Sequence, residues 1–425
     1  MRSLTMFFAC ALLATSLASC LRDTCEAEVE YIRYDPIYVQ AASFRTEIGP
    51  EAPRELENPG KIYAYGDYLF INEPQQGIHL FDNSDPENPQ AISFIEIEGN
   101  VDMAVQNGLL YADNYVDLVV FDIRNPESIE MVGRTENAFP DYGFDQERGF
   151  LVGYEETDIV EKQPCSEGDW FRGGGGIFWV NAELDFSTAL GNDAGVPSPN
   201  QTGVGGSLAR FTIGFNRLYV ADDSDQLKVF SLRNPEQPEL VNTSYIGWAI
   251  ETIFPYGDHL FIGAANGMHI VSVEDPDNPQ HLSTFWHTTA CDPVYIDGDY
   301  AYVTLRDGTE CEGFANQLDV INIEDLFNPR LVKTFPMHHP IGLSVRNEHL
   351  YLCDDDAGLK VFDASDPARV GNRLLAEIKS INAVDAIALP GRPVLLIIGR
   401  DGLYQFDISE PASPLPLSVI PAFES

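Results

Sequence analysis

The sequence predicts an all-β chain folded as a β-propeller, and three observations carry that expectation. A phrase made of an apolar strand, an acidic or equivalent residue and a Pro-closed turn recurs with a basic period of about 40 residues. Pairs such as Gly66-Asp67, Asn107-Gly108, Gly257-Asp258 and Gly298-Asp299 fall between apolar runs, as tight hairpins require. Only Ala41 to Ile48 carries any helical periodicity.

The phrase reads IHLFDNSDPENP at 78–89, LVVFDIRNP at 118–126 and LKVFSLRNP at 227–235. It returns as MHIVSVEDPDNP at 268–279, LDVINIEDLFNP at 318–329, LKVFDASDP at 359–367 and LYQFDISEP at 403–411. A degenerate copy, IFWVN, occupies 177–181, so eight units are expected, with seven blades as the alternative count. Each unit reads as four strands: in the second, 101–105 is strand a, 109–113 strand b, 118–123 strand c and 128–135 strand d. The Asn-Pro or Asp-Pro dipeptide ends strand c and starts the turn to strand d. Blades around a channel hide all but short strand edges, which favours a propeller over the competing stack of β-sandwiches.

The first 19 residues stand apart from this pattern. Arg2 precedes an apolar run from Leu4 to Leu17, too short for a bilayer span of roughly 20 residues. The segment ends Leu17-Ala18-Ser19-Cys20, which resembles the bacterial lipobox and implies a signal peptide over 1–19 and a lipid (palmitate in kind) on Cys20. The acidic stretch with Asp23, Glu26, Glu28 and Glu30 is similar to surface-export signals of Bacteroidetes-type outer-membrane lipoproteins. Residues 20–60 read as a lipidated tether and N-terminal extension, and 61–425 as the propeller, with insertions at about 155–206 and 306–317.

The segments LVVFD, LKVFD and LKVFS resemble the LVIVD-repeat β-propellers of bacterial and archaeal surface proteins. Asp102 and Asp385 match an Asp that often opens the innermost strand in that family. The resemblance covers roughly residues 60–420 and departs in the third unit. Together with the lipobox, ENPGKIY at 57–63 and GVGGSLARFTI at 203–213 are similar to a Bacteroidetes lipoprotein subset. The resemblance implies a propeller and an outer-membrane, surface-exposed location; it implies no reaction.

Charge narrows the partners. Lys+Arg 25 against Asp+Glu 66 gives a net charge of −41, which excludes a phosphate-backbone binder. Among seven cysteines, Cys291 and Cys311 are the expected disulfide of an exported chain, and Cys25 with Cys165 a second pairing. Cys353 replaces the Ala112 and Ala221 of sibling strands and reads as a small buried residue.

Antiparallel order places b–c loops and blade-to-blade crossovers on one face, here the long-loop face, and a–b and c–d turns on the other. The insertions, a stretch 185–206 that reaches either face, and most acidic turns point to the long-loop face as the binding face. Asp113 and Asp117, Asp222, Asp223 and Asp225, and Asp354 to Asp356 fall at b–c turns; Asp102, Asp292 and Asp385 fall near the channel mouth. Such carboxylates suit Ca²⁺, yet no EF-hand or nonapeptide spacing is present and Asp favours turns for local hydrogen bonding. His287, His338 and His339 lie in neighbouring crossovers, where a Zn-type site with Asp292 or Cys291 is an alternative to plain polar loops. Trp170, Trp248 and Trp286 complete the candidate ligand face, with packing between blades the competing reading for Trp248 and Trp286.

No HExxH, no GxSxG elbow and no phosphate loop is present. The expected function is therefore a non-enzymatic, lipid-anchored binding or scaffold propeller engaging a protein, glycan or membrane transport complex, with no cofactor. The alternative is an exported enzyme acting on polysaccharide or peptide at the channel mouth.

Overall fold

The computed structural model describes residues 26–139, 143–164, 202–221, 225–247, 249–287, 293–307 and 315–423. Eight antiparallel sheets are present among them. Seven contain a four-strand meander a–b–c–d, a blade: blade 1 spans 62–96, blade 2 103–135, blade 3 211–245, blade 4 250–286, blade 5 294–336, blade 6 343–378 and blade 7 383–421. Strands a of successive blades face one another around the centre. Blade 1 gains a strand on each side, Val204–Gly205 against strand a and Pro50–Glu51 against strand d.

The recurring phrase has a uniform local cause. The residue that ends strand c accepts the backbone N–H two positions on: Asp82 from Ser84, Asp122 from Arg124, Asp363 from Ser365 and Asp407 from Ser409. Ser231, Ser272 and Asn322 do the same in blades 3, 4 and 5. Hydrogen bonds from the side chains of Ser84, Arg124, Ser365 and Ser409, joined by these backbone bonds, hold the four aspartates below the ordinary carboxylate range. The turn that follows closes in every blade by an i+3 to i backbone bond, from Asn88 to Asp85 in blade 1 through Ser413 to Glu410 in blade 7. Proline occupies its second position in six blades, where a fixed φ suits the turn, and Leu326 in blade 5. Beyond it, all seven c–d pairs carry a register shift at the same place, beside the last large apolar residue of the phrase. Such bulges raise the local twist of the outer strand.

Large side chains of strands b and c, such as Phe70, Phe121, Phe230 and Phe261, are buried between blades. The ring closes where blade 7 meets blade 1: Leu56 bridges Ala422 in parallel, and Asn83 and Gln405 exchange two amide bonds of 2.9 and 2.7 Å. Blade 3 follows blade 2 directly, with Thr135 Oγ1 donating to the Pro238 carbonyl at 2.8 Å. Among the described residues the ring thus has seven blades. The third expected unit supplies Phe144–Asp145 and Gly149–Pro164 to a three-stranded sheet with Glu26–Val39, and its expected strand c, 177–181, lies outside the described residues.

The chain divides into two compact units. One holds 26–38 and 151–164, in which Asp35 accepts from Arg33 at 2.8 Å. The other holds the propeller with 39–150 and the described residues from 202 onward. In it the short helix Ala41–Phe44 realises the only helical pattern seen in the sequence. Phe44 stands edge-on to Tyr115 at 5.3 Å, and the Arg45 guanidinium forks onto Asp117 at 2.9 Å.

Candidate functional site

Residues 202–209 run through the centre of the propeller. On the short-turn side Thr202 bridges Gln106, the last residue of strand a in blade 2, and Gly203 N–H donates to the Val105 carbonyl at 2.8 Å. Val204 and Gly205 then pair with Ala64 and Tyr63 of blade 1. Ser207 donates its N–H and hydroxyl to Asp385 Oδ1 of blade 7 at 3.1 and 2.7 Å and accepts the Leu343 N–H of blade 6 at 2.7 Å. Ala209 O accepts the Ile253 N–H of blade 4, after which the chain turns into strand a of blade 3. Small residues are demanded by this path: a Cβ on Gly203 would lie 2.2 Å from the Tyr63 ring. Of the stretch 185–206, residues 202–205 thus enter the channel from the short-turn face, and 185–201 lie outside the described residues.

The pairing registers make Lys61, Asp102, Arg210, Thr252, Pro293, Gly342 and Asp385 equivalent, one per blade, at the start of strand a. Asp102 Oδ2 accepts the Lys61 ammonium at 2.8 Å and the N–H groups of Arg210 and Phe211 at 2.6 and 3.1 Å, joining blades 1, 2 and 3. Burial pushes the Lys61 amine down against the opposing pull of Asp102. Gly342 is needed beside Asp385, because a Cβ there would lie 2.1 Å from Asp385 Oδ1. Asp102 and Asp385 are both buried. These two candidate residues are thus not offered to a ligand at the mouth: they fasten the ring and the strand inside it.

The b–c carboxylates do a related job at the long-loop face. Glu73 accepts the N–H groups of Glu57 and Asn58 together with the His79 ring at 2.8 Å. Asp354, fully buried, accepts the N–H groups of His338 and His339 and pairs with the Lys360 ammonium. Asp117 takes Arg45, Arg134 and the Asn137 N–H. Asp113 accepts from Asn100, Val101 and Asp102, yet its burial outweighs those bonds and pushes its carboxyl up to about 6. Each caps the crossover beside it, the local hydrogen-bonding role of turn aspartates.

The histidines separate into two groups. His338 and His339 sit with acids of the blade 6 and 5 loops: His339 Nδ1 lies 3.1 Å from Asp355 Oδ2, and the 60% exposed His338 lies 3.2 Å from Asp356. Arg400 reaches Asp355 at 3.2 Å. His287 instead lies within electrostatic reach of His269 and of Asp319 in blade 5, both of which are shifted first by burial. Among the described residues no three His, Cys, Asp or Glu side chains converge to hold a metal ion. Trp286 is 67% exposed and meets the His269 ring edge-on at 6.3 Å, so it is not packed between blades. Tyr245, at the equivalent end of strand d in blade 3, is 69% exposed. Cys20, Cys25, Cys165, Trp170, Asp222, Asp223, Trp248, Cys291, Asp292 and Cys311 lie outside the described residues; Cys353 is buried as a thiol.

Sequence reasoning passed over His269 and His281. The available sign was a polar residue at the second place of the phrase, inside an otherwise apolar strand. A pocket of about 160 Å³ opens between blades 2 and 3 on the short-turn face, lined by Tyr111, Arg124, Asn216 and Glu236 among others. Ligand clefts run to roughly 300–1,000 Å³.

The profile of the LVIVD repeat matches residues 341–371, which cover strands a to c of blade 6. No curated protein matches the chain. Among solved structures, the computationally designed Ika8 protein is similar over 89% of this chain and 92% of its own, at 9% identity and a TM-score of 0.52. The β-propeller domain of Cps50 (Swd1) from Myceliophteria thermophila matches over 83% and 96%, at 10% identity and a TM-score of 0.49. A protein from Lactobacillus plantarum matches over 74% and 82%, at 12% identity and 0.48. At these identities the likeness concerns the fold alone.

Proposed function

We propose that the protein is a non-enzymatic binding or scaffold propeller, held at the outer membrane by a lipid on Cys20, that engages its partner through the long-loop face. The partner is a protein, a glycan or a membrane transport complex. The observation that carries this reading is the occupied channel. A reaction at the channel mouth needs carboxylates presented to substrate, and two near the mouth, Asp102 and Asp385, are engaged by Lys61, Arg210, Phe211 and Ser207 of the same chain. The long-loop face, by contrast, presents Trp286, Tyr245, His338 and Asp356 to solvent. Mild detergent extraction of the tagged protein from its own membrane, followed by mass spectrometry, tests the proposal. A stoichiometric partner that is lost with Trp286→Ala and His338→Ala supports it. Recovery as a lone monomer that hydrolyses a glycan or peptide library overturns it in favour of the exported enzyme.

A further inference from the structure

We propose that His269 and His281 form a binding site for a divalent transition-metal ion of the zinc class on the outer part of blade 4. The site is built by the fold. His269 lies in strand c directly opposite Thr284 in strand d, and the register shift that follows leaves Val271 opposite His281. Side chains alternate along a strand, so skipping one residue brings His281 onto the same face as His269 and Thr284. His269 Nδ1 is then 3.3 Å from His281 Nε2, and the Thr284 hydroxyl lies 3.0 and 2.9 Å from the two nitrogens.

One proton chain satisfies this cluster without metal: His281 Nε2–H donates to Thr284 Oγ1, whose O–H donates to His269 Nδ1. The other His269 nitrogen, Nε2, donates to Asn266 Oδ1 at 3.1 Å, which fixes Nδ1 as the bare nitrogen. Moving the His281 proton to its own Nδ1, a tautomer change with no net proton loss, leaves two bare nitrogens 3.3 Å apart. Two imidazoles that each bind zinc at about 2.0–2.1 Å in a tetrahedron are about 3.3–3.4 Å apart along its edge, the separation already present. Gly247 closes the far side, since a Cβ there would lie 2.4 Å from His269 Nε2. His269 is buried while His281 and Trp286 are exposed, so the ion enters from solvent and completes its shell with water.

Equilibrium dialysis of the soluble mature chain against zinc chloride tests the site, with cobalt absorption as a second readout of geometry. One zinc per chain is expected, with cobalt giving the intense visible bands of a tetrahedral site. His281→Ala, at an exposed position, should weaken binding at least tenfold, and Asn266→Leu should weaken it about tenfold by releasing the tautomer. His338→Ala, in the other histidine group, should leave binding unchanged. No retained zinc in the wild type, or wild-type affinity in His281→Ala, overturns the proposal; so does equal loss in His338→Ala. The outcome is independent of whether a membrane partner is found.

Discussion

Asp354 illustrates what the buried carboxylates of the b–c turns do. Its carboxylate is buried beneath the crossover into blade 6, where it receives two backbone N–H groups and the Lys360 ammonium. Asp354→Ala should cost about 2–4 kcal/mol, because it leaves a partly buried ammonium and two backbone donors without partners. Adding Lys360→Met should restore part of that loss, as urea titrations of both variants would report. Asp113 behaves differently, with its carboxyl raised from 3.8 to about 6 by burial. The folded state then keeps a proton that the unfolded chain has released, so the stabilisation is present below about pH 4 and lost as pH rises through about 6. The wild type should therefore lose stability relative to Asp113→Asn between those values in paired denaturation curves. The sequence made the turn role of these aspartates legible, because both fall between strands b and c, where an Asp side chain bonds to nearby backbone N–H groups. It placed Asp102 and Asp385 at the start of strand a without revealing their partners, because position at a strand start does not show which segment lies across the channel.

At the scale of elements, the repeating phrase was readable because each part has a local cause: the strand by its apolar run, the capping residue by its i+2 bond, the turn by its proline. The strand through the channel was not readable. GVGGS carries neither apolar alternation nor a turn partner, and its small residues answer to Tyr63 and to inner strands from three other blades. Gly203→Ala should destabilise the propeller by about 1–3 kcal/mol through the clash with Tyr63. Ser207→Ala should cost about 1–3 kcal/mol by stranding the Leu343 N–H and one Asp385 lone pair. Thermal melts would measure both, and proteolysis near 202–209 should quicken in each variant. A melt unchanged in both would show that the strand is not part of the cooperative fold. The third unit was predicted as a blade because its apolar runs resemble the others; Gly149–Pro164 pairs instead with Glu26–Val39, a partner far away in sequence.

At the scale of the whole molecule, blades stack on their neighbours and the ring depends on the seam between first and last. Removing residues from 412 onward deletes strand d of blade 7 and the Leu56–Ala422 bridge. Such a chain should lose its single cooperative melting transition, which calorimetry would detect. A net charge of −41 should make association with a basic partner weaken steeply with salt, a dependence visible in binding measured at two ionic strengths. The threaded strand also bears on how the molecule is made. Ser207 must meet Asp385, 178 positions later, and Pro86 must meet Ser418, 332 positions later. Contacts so distant in sequence make folding slow. A chain delivered from its N-terminus has every early blade waiting, its apolar inner strands uncovered, until the final forty residues arrive. Closing the seam is therefore expected as a late step of folding, taken only once the first and last blades are both present.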